Sequence, residues 1–291
     1  MAESVDIAMT VDIGRRCVVE FAAHEEERPL NVLAVCMLRD FAGREQFAGM
    51  LEEMSNRKNW HLDLAGPGRL FSERELANED GEPFDGYILT MPGTDAVMKR
   101  LAVAKTPTVL VNITDKRLAA RSEAVSSVWT DNEDIRRREA KHLLDRGGYK
   151  SAGYVHELKP QFYSSERMMA FRAEMRRKGI KTSVFPEGDD FDDFQDRLRE
   201  WVRKLPKPAA VMAVSDMRAA DVANACKAEG ILVPSQVAVV GVDNDAAQHE
   251  TCGMSLSSVV LNMNMMGRQA VRELDFLFRH QKWHGRPQGV R

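Results

Sequence analysis

The sequence predicts a parallel, doubly wound α/β architecture, and three observations carry that expectation. From residue 31 onward, apolar runs of strand length alternate with amphipathic helical segments. The runs are continuously apolar rather than alternating, which is what strands covered by helices on both faces require. The third observation is a strand-helix-strand unit with acidic tips: VMAV (211–214) runs into Ser215-Asp216, VAVVGV (237–242) runs into Asp243-Asn244-Asp245, and one helical segment lies between them. Ligands of open parallel sheets bind beyond the carboxyl ends of the strands, so both carboxylates are placed to share one polar ligand.

Taken in order, residues 1–29 form an N-terminal extension outside this alternation. Within it RCVVEFAA (16–23) fits either a short strand or loose chain, and EEER (25–28) reads as a solvated linker. The expected strands are NVLAVCML (31–38), WHLDL (60–64), GYILT (86–90), PTVLV (107–111), AGYVH (152–156), KTSVF (181–185), AVMAV (210–214) and VAVVGV (237–242). Phe47, Met50, Leu51 and Met54 fall at helical spacing over 44–58, and Gly147-Gly148 ends a helix over 132–146. A last helix over 263–280 carries the apolar stripe Met266, Ala270, Leu274, Leu277 and Phe278.

Composition narrows the function. Of 291 residues 44% are hydrophobic and 29% charged, with a formal net charge of −3, which does not suit a chain that grips nucleic acid by itself. No apolar run approaches the ~20 residues of a membrane span. The N-terminus has acids at Glu3, Asp6 and Asp12 and no secretory pattern, so a cytoplasmic location is expected. Cys17, Cys36, Cys226 and Cys252 are scattered, with no CxxC spacing, and read as reduced thiols.

Catalytic signatures are missing from the sequence. It has no GxSxG, HExxH or GxxxxGK[ST], and Phe71 breaks the GxGxxG begun by Gly66-Pro67-Gly68. The seven histidines are dispersed, and the pair at i, i+4, His280 and His284, lacks the glutamate of HExxH. EGDDFDDFQD (187–196) lacks the EF-hand glycine and terminal glutamate, and its acids suit a helix start better than a metal site. No enzyme activity, cofactor or metal is expected.

Against this background AVSDMRA (213–219), ILVPSQVAVVGVDND (231–245), LSSV (256–259) and MMGRQAVREL (265–274) stand out, with weaker support from TDNEDI (130–135) and SERMMAFR (165–172). These segments resemble the effector-binding half of bacterial sugar-responsive transcription regulators with the Lac repressor or periplasmic-binding-protein-like fold, most closely the xylose operon regulators. The resemblance spans roughly residues 30–280. It implies a two-lobed fold, each lobe a doubly wound parallel sheet, with a sugar bound in the cleft between them. The expected division is 30–148 plus 260–281 for the N-terminal lobe and 149–259 plus 282–291 for the C-terminal lobe. In those regulators an AraC-type DNA-binding domain follows; here no helix-turn-helix is found, so DNA binding is expected only through a domain not present in this chain. The resemblance also implies a homodimer.

Sugar recognition needs carboxylates, amides and guanidiniums for paired hydrogen bonds and an aromatic face for the ring. Asp131, Arg167, Asp216 and Asp243 match positions that the family uses at its sugar site. Each also has a plainer reading: Asp131 and Asp216 as helix N-caps, Asp243 as a turn aspartate, Arg167 as a surface cation. Arg167 falls in the first turn of its helix, where a cation is locally unfavourable and a compensating partner is expected. Phe41 and Arg44, in the loop after the first strand, are further candidates, with Thr90, Asn112, Phe162 and Ser215; Tyr163 is an alternative aromatic to Phe162. YILT runs into Met91-Pro92-Gly93 where the family places an acidic stretch, leaving Thr90 in that place.

The preferred expectation is the effector domain of a transcription regulator that senses a pentose or related small sugar. A stand-alone cytoplasmic sugar-binding protein and an α/β enzyme acting on a sugar or nucleotide are the rivals.

Overall fold

The computed structural model describes residues 9–11, 17–19, 29–38, 40–57, 59–66, 71–78, 81–103, 106–113, 124–130, 142–143, 145, 147–157, 162–186, 193–254, 256–279 and 288–290. The chain divides into two compact units, Met1–Thr130 with Asn262–Arg291, and Asp131–Leu261. The first unit gives way to the second after Thr130, not at Gly147-Gly148 as the sequence suggested, and residues 282–291 fall with the first unit.

The first unit is built on β3 (Leu30–Val35), β4 (Trp60–Ala65), β5 (Gly86–Leu89), β6 (Thr108–Val111) and β7 (Val125–Thr130). All pair in parallel, in the order β4-β3-β5-β6-β7. β1 (Met9–Val11) and β2 (Cys17–Val19) extend the β4 edge in antiparallel fashion, and β13 (Gln288–Val290) adds in parallel beyond β7. Cys17–Val19 thus forms a strand seated between β1 and β4, and the sheet is mixed rather than wholly parallel. β7 was not expected because its VSSVWT run alternates half-buried with buried positions instead of reading as a continuous apolar run.

Two helices of this unit pack directly on each other: α1 (Phe41–Met54) and, 209 residues of sequence later, α7 (Met263–Arg279). The expected stripe holds, with Met266, Ala270, Leu274 and Leu277 all buried. Gly49 faces the backbone of Asn264, and Gly267 faces the backbone of Gln46 and Met50, so the two main chains meet with no room for a side chain. Charged groups border the contact: Arg272 Nη2 lies 2.9 Å from Glu53 Oε2 and Arg57 Nη1 3.0 Å from Glu53 Oε1. Burial works to raise the Glu53 carboxyl, but the hydrogen bonds from Arg272 and Arg57 outweigh it and hold the group below its ordinary range. The remaining elements of this unit are a 3-10 turn (Glu73–Leu76) and α2 (Asp95–Val103).

The second unit repeats the topology. Its strands β8 (Ser151–Val155), β9 (Thr182–Val184), β10 (Ala209–Ala213), β11 (Val237–Val242) and β12 (Ser257–Val259) pair in parallel in the order β9-β8-β10-β11-β12. Relative to chain order both sheets therefore run 2-1-3-4-5, the doubly wound arrangement whose order reverses between the first and third strands. The helices are α3 (Phe162–Arg177), α4 (Phe194–Lys204), α5 (Asp216–Ala228) and α6 (Ala246–Thr251). Every residue of β8, β10 and β11 is buried, as strands sandwiched between helical layers must be. One face packs on Leu198, Trp201, Val202, Val222 and Cys226, the other on Phe171, Met175 and Leu143.

Burial decides the cysteine chemistry. Cys36 and Cys226 are free and buried, and loss of solvation pushes their thiols up to about 12 and about 11, so neither is a nucleophile at neutral pH. Asp193 occupies the N-cap position of α4, so the acidic stretch leads into a helix, though residues 187–192 lie outside the described residues. No cluster of metal-ligating side chains is found among the described residues, and no described helix is long and apolar enough to cross a membrane.

Candidate functional site

Beyond the carboxyl ends of the strands, the second unit assembles most of the polar side chains that the sequence pointed to. Asp243 follows β11 directly, with φ +106°, and Asn244 with φ +59° continues the turn. A non-glycine residue with φ near +106° is strained, and such residues persist where the surroundings over-determine them. Here the ladder does so: Asp243 N donates to Val259 O of β12 at 3.0 Å, and Asn244 N to Ser258 Oγ at 2.9 Å. The same device recurs in the first unit at the end of its own fourth strand. Asn112 follows β6 with φ +54°, its N donates to Val128 O of β7, and its Oδ1 accepts from Thr130 N and Oγ1. Among the described residues, Asn112, Asp243 and Asn244 are the non-glycines with positive φ.

Arg167 lies one turn into α3 and is 4% exposed. Its Nη1 donates to Val214 O at 2.7 Å, the guanidinium stacks 5.0 Å from the Tyr163 ring, and its buried Nε has no hydrogen-bond partner. The compensation expected for a cation at this end of a helix is thus a backbone carbonyl at the tip of β10 and an aromatic face. Tyr163, which the sequence offered beside Phe162, is the ring that meets Arg167. Phe162 opens the helix.

Asp216 and Ser215 divide their roles differently from the expectation. Ser215 is the N-cap of α5, its Oγ accepting from Arg218 N. The same Oγ donates to Glu157 Oε1 at 2.8 Å. Asp216 is 1% exposed, with its carboxylate turned into the unit. Its Oδ2 accepts from Asp245 N at 2.7 Å and lies 3.1 Å from His249 Nε2, while Oδ1 rests on the Cα of Gly241, where any side chain would collide with it. Asp216 therefore makes no outward contact in this structure: it ties the start of α5 to the turn that carries Asp243. Glycine at 241 is what lets the carboxylate enter.

Burial raises the Asp216 carboxyl above its ordinary 3.8, against hydrogen bonds from Ser258 and Asp245 and the charge of His249. The sign follows directly. With the folded value above the unfolded one, the group contributes most below about pH 3.8, and that contribution is lost as pH rises through the folded value. In urea titrations an Asp216→Asn chain is accordingly expected to gain on wild type as pH climbs from about 4 towards 7. A gap between the two that does not change with pH would count against it.

Two neighbours were not legible in the sequence. His156 is buried, with Nδ1 2.8 Å from Ser164 Oγ, and Glu157 is bonded by Ser215. Both follow β8, and the pairing of β8 with β10 brings Glu157 to Ser215.

In the first unit Phe41 is not in a loop: it opens α1, where Asp40 caps the helix by accepting from Gly43 N at 2.7 Å. Arg44 is exposed and donates to Leu38 O. Thr90 follows β5, at the reversal of strand order, and its Oγ1 donates to Val35 O at 3.0 Å, which leaves that hydroxyl only its acceptor capacity. Asp131 and most of the helix expected over 132–146 lie outside the described residues.

Comparison with known proteins gives this geometry a context. The family described as the periplasmic binding protein-like domain matches residues 140–290. The xylose operon regulatory protein of Escherichia coli K12 is 30% identical over 162 residues, covering 54% of this chain and 41% of the regulator. The chain thus aligns with less than half the length of that relative. Among solved structures, the xylose-binding transcription activator XylR aligns with TM-score 0.68 at 22% identity over 90% of this chain and 66% of that one. The transcriptional regulator CelR in complex with cellobiose aligns with TM-score 0.70 at 22% identity over 92% of this chain and 83% of that one. At such identities these structures speak for the fold alone, and they bear out the two-unit α/β fold. The AraC affiliation is corrected: the family match, over residues 140–290, is to the periplasmic binding protein-like domain.

Proposed function

Because this chain belongs to the periplasmic binding protein-like family, we propose that it is the effector-binding part of a transcription regulator and that its ligand is a small sugar, a pentose or a close relative. The observation that carries the reading is the strained Asp243 at the tip of β11, kept at φ +106° by the ladder to β12. Strain at a strand's carboxyl end is tolerated where a side chain must be presented. Asp243 accepts ligand hydroxyls, Arg167 donates to them, and Tyr163 or Phe162 offers a ring face. Asp131, Phe41, Arg44, Thr90 and Asn112 remain proposed contributors, and Asp216 acts through the turn it holds.

The effector would act by linkage, binding one conformation of the regulator more tightly than another and so shifting their populations. The xylose regulators among the relatives favour a pentose; the absence of an acid after β5 leaves Thr90 as the local partner and leaves room for other small sugars. A homodimer belongs to the same proposal and is read out by light scattering.

The test is a thermal-shift screen of pentoses, hexoses and disaccharides on the pure chain. A ligand that binds only the folded state raises the midpoint, by about 2.7 kcal/mol of added stability at a hundredfold excess over Kd. A saturable shift with one sugar class is expected; no shift with any sugar at millimolar concentration would sink the reading.

A further inference from the structure

Glu157 and Ser215 each stand two residues past the end of their strand, β8 and β10, which neighbour each other where the strand order reverses. The sequence offers Ser215 there as a substitute for Asp216. Its Oγ donates to Glu157 Oε1 at 2.8 Å and accepts from Arg218 N, so its proton is committed and the acceptor offered at this point is the carboxylate. Behind it, Arg218 Nε lies 3.4 Å from Glu157 Oε2, and Arg218 Nη1 lies 2.7 Å from Asp221 Oδ2. The Arg218 side chain is 5% exposed, that of Glu157 18% and that of Asp221 20%, so both carboxylates lie outside the guanidinium they share.

One guanidinium serves two carboxylates. Asp221 registers this: burial raises its carboxyl, and the charge of Glu157 adds to the rise against Arg218 and Gln195. Among the described residues at this edge, the carboxylates of Glu157, Asp221 and Asp243 outnumber the guanidiniums of Arg167 and Arg218, and Arg167 is fixed on Val214 O. An edge rich in lone pairs and in excess negative charge attracts hydrogen-bond donors and repels anions.

We infer that Glu157 is a specificity-determining residue of this site, accepting a hydroxyl or ammonium donor from the ligand and excluding sugars that carry a carboxylate or phosphate. The inference rests on the sugar-effector reading above.

Calorimetric titration of the full chain tests it, using the neutral sugar found in the screen, its uronic acid, its phosphate ester and its amino analogue. Wild type is expected to bind the neutral and amino sugars at least about tenfold more tightly than the acid or the ester. Glu157→Gln is expected to weaken the neutral sugar about tenfold and to narrow its advantage over the anions. Wild type that binds the anions as tightly as the neutral sugar overturns the inference, and does so without any variant. A folded Glu157→Gln chain with unchanged affinity and preference overturns it too. Binding of no sugar at all overturns the sugar reading and this inference together, so the two failures are distinguishable.

Discussion

Replacing Asp243 by glycine is expected to make the protein more stable and unable to bind its effector. Glycine adopts φ +106° without the steric cost that aspartate carries, so release of strain should add about 1 kcal/mol to the unfolding free energy. The backbone bond from residue 243 to Val259 O does not depend on the side chain and should survive. What disappears is the carboxylate. A hydrogen bond to a charged group is worth about 1.5–3 kcal/mol, so losing two ligand hydroxyl contacts should weaken binding by at least about 100-fold. Denaturant midpoints and calorimetry on the same preparation check both halves. If Asp243 were only a turn residue, the glycine chain would gain stability and bind as wild type does. The opposite movement of stability and affinity is the mark of a residue kept for function.

The second large effect is expected where α1 and α7 touch. Exposed Gly→Ala changes in helices usually stabilise by about 1 kcal/mol through propensity alone. At Gly49 and Gly267 the same change is expected to destabilise by about 2 kcal/mol net, because the new methyl falls on the main chain of the partner helix, which has no rotamer to yield. The helices would have to separate, loosening the packing of Met50, Met266, Ala270 and Leu274 and straining the Glu53–Arg272 pair. Gly66→Ala is the control, since its methyl would lie 3.5 Å from Cys36 O in ordinary contact. Urea denaturation of the three variants settles it: a gain in stability for either Gly49→Ala or Gly267→Ala would mean that the helices do not meet as described.

Legibility in the sequence followed the range of the interactions. The strands β5, β6, β8, β10 and β11 could be read because burial on both faces writes itself into every residue of the run. β7 and β12 escaped notice: one alternates and the other is a three-residue edge, so neither has a continuous apolar signature. The acidic tips of β10 and β11 were visible for the same local reason. Glu157 and His156 were not, since nothing nearby in sequence marks a residue after β8 as the neighbour of one after β10.

By itself the sequence determined the buried strands and most of the helices between them, that the architecture is doubly wound α/β, and that Asp216 and Asp243 emerge at the carboxyl ends of β10 and β11. Those properties depend on periodicity and on neighbours a few residues away. Only the tertiary structure decided what the two acidic tips do. Asp216 and Asp243 look alike as sequence, but one is turned inward onto Asp245, His249 and Gly241, and the other is held in a strained turn by Val259. Their difference lies in partners 16–33 residues distant that come together only when β11 is seated between β10 and β12. Hydrogen-bond direction and desolvation are set by that packing, so composition and spacing alone could not tell the two carboxylates apart.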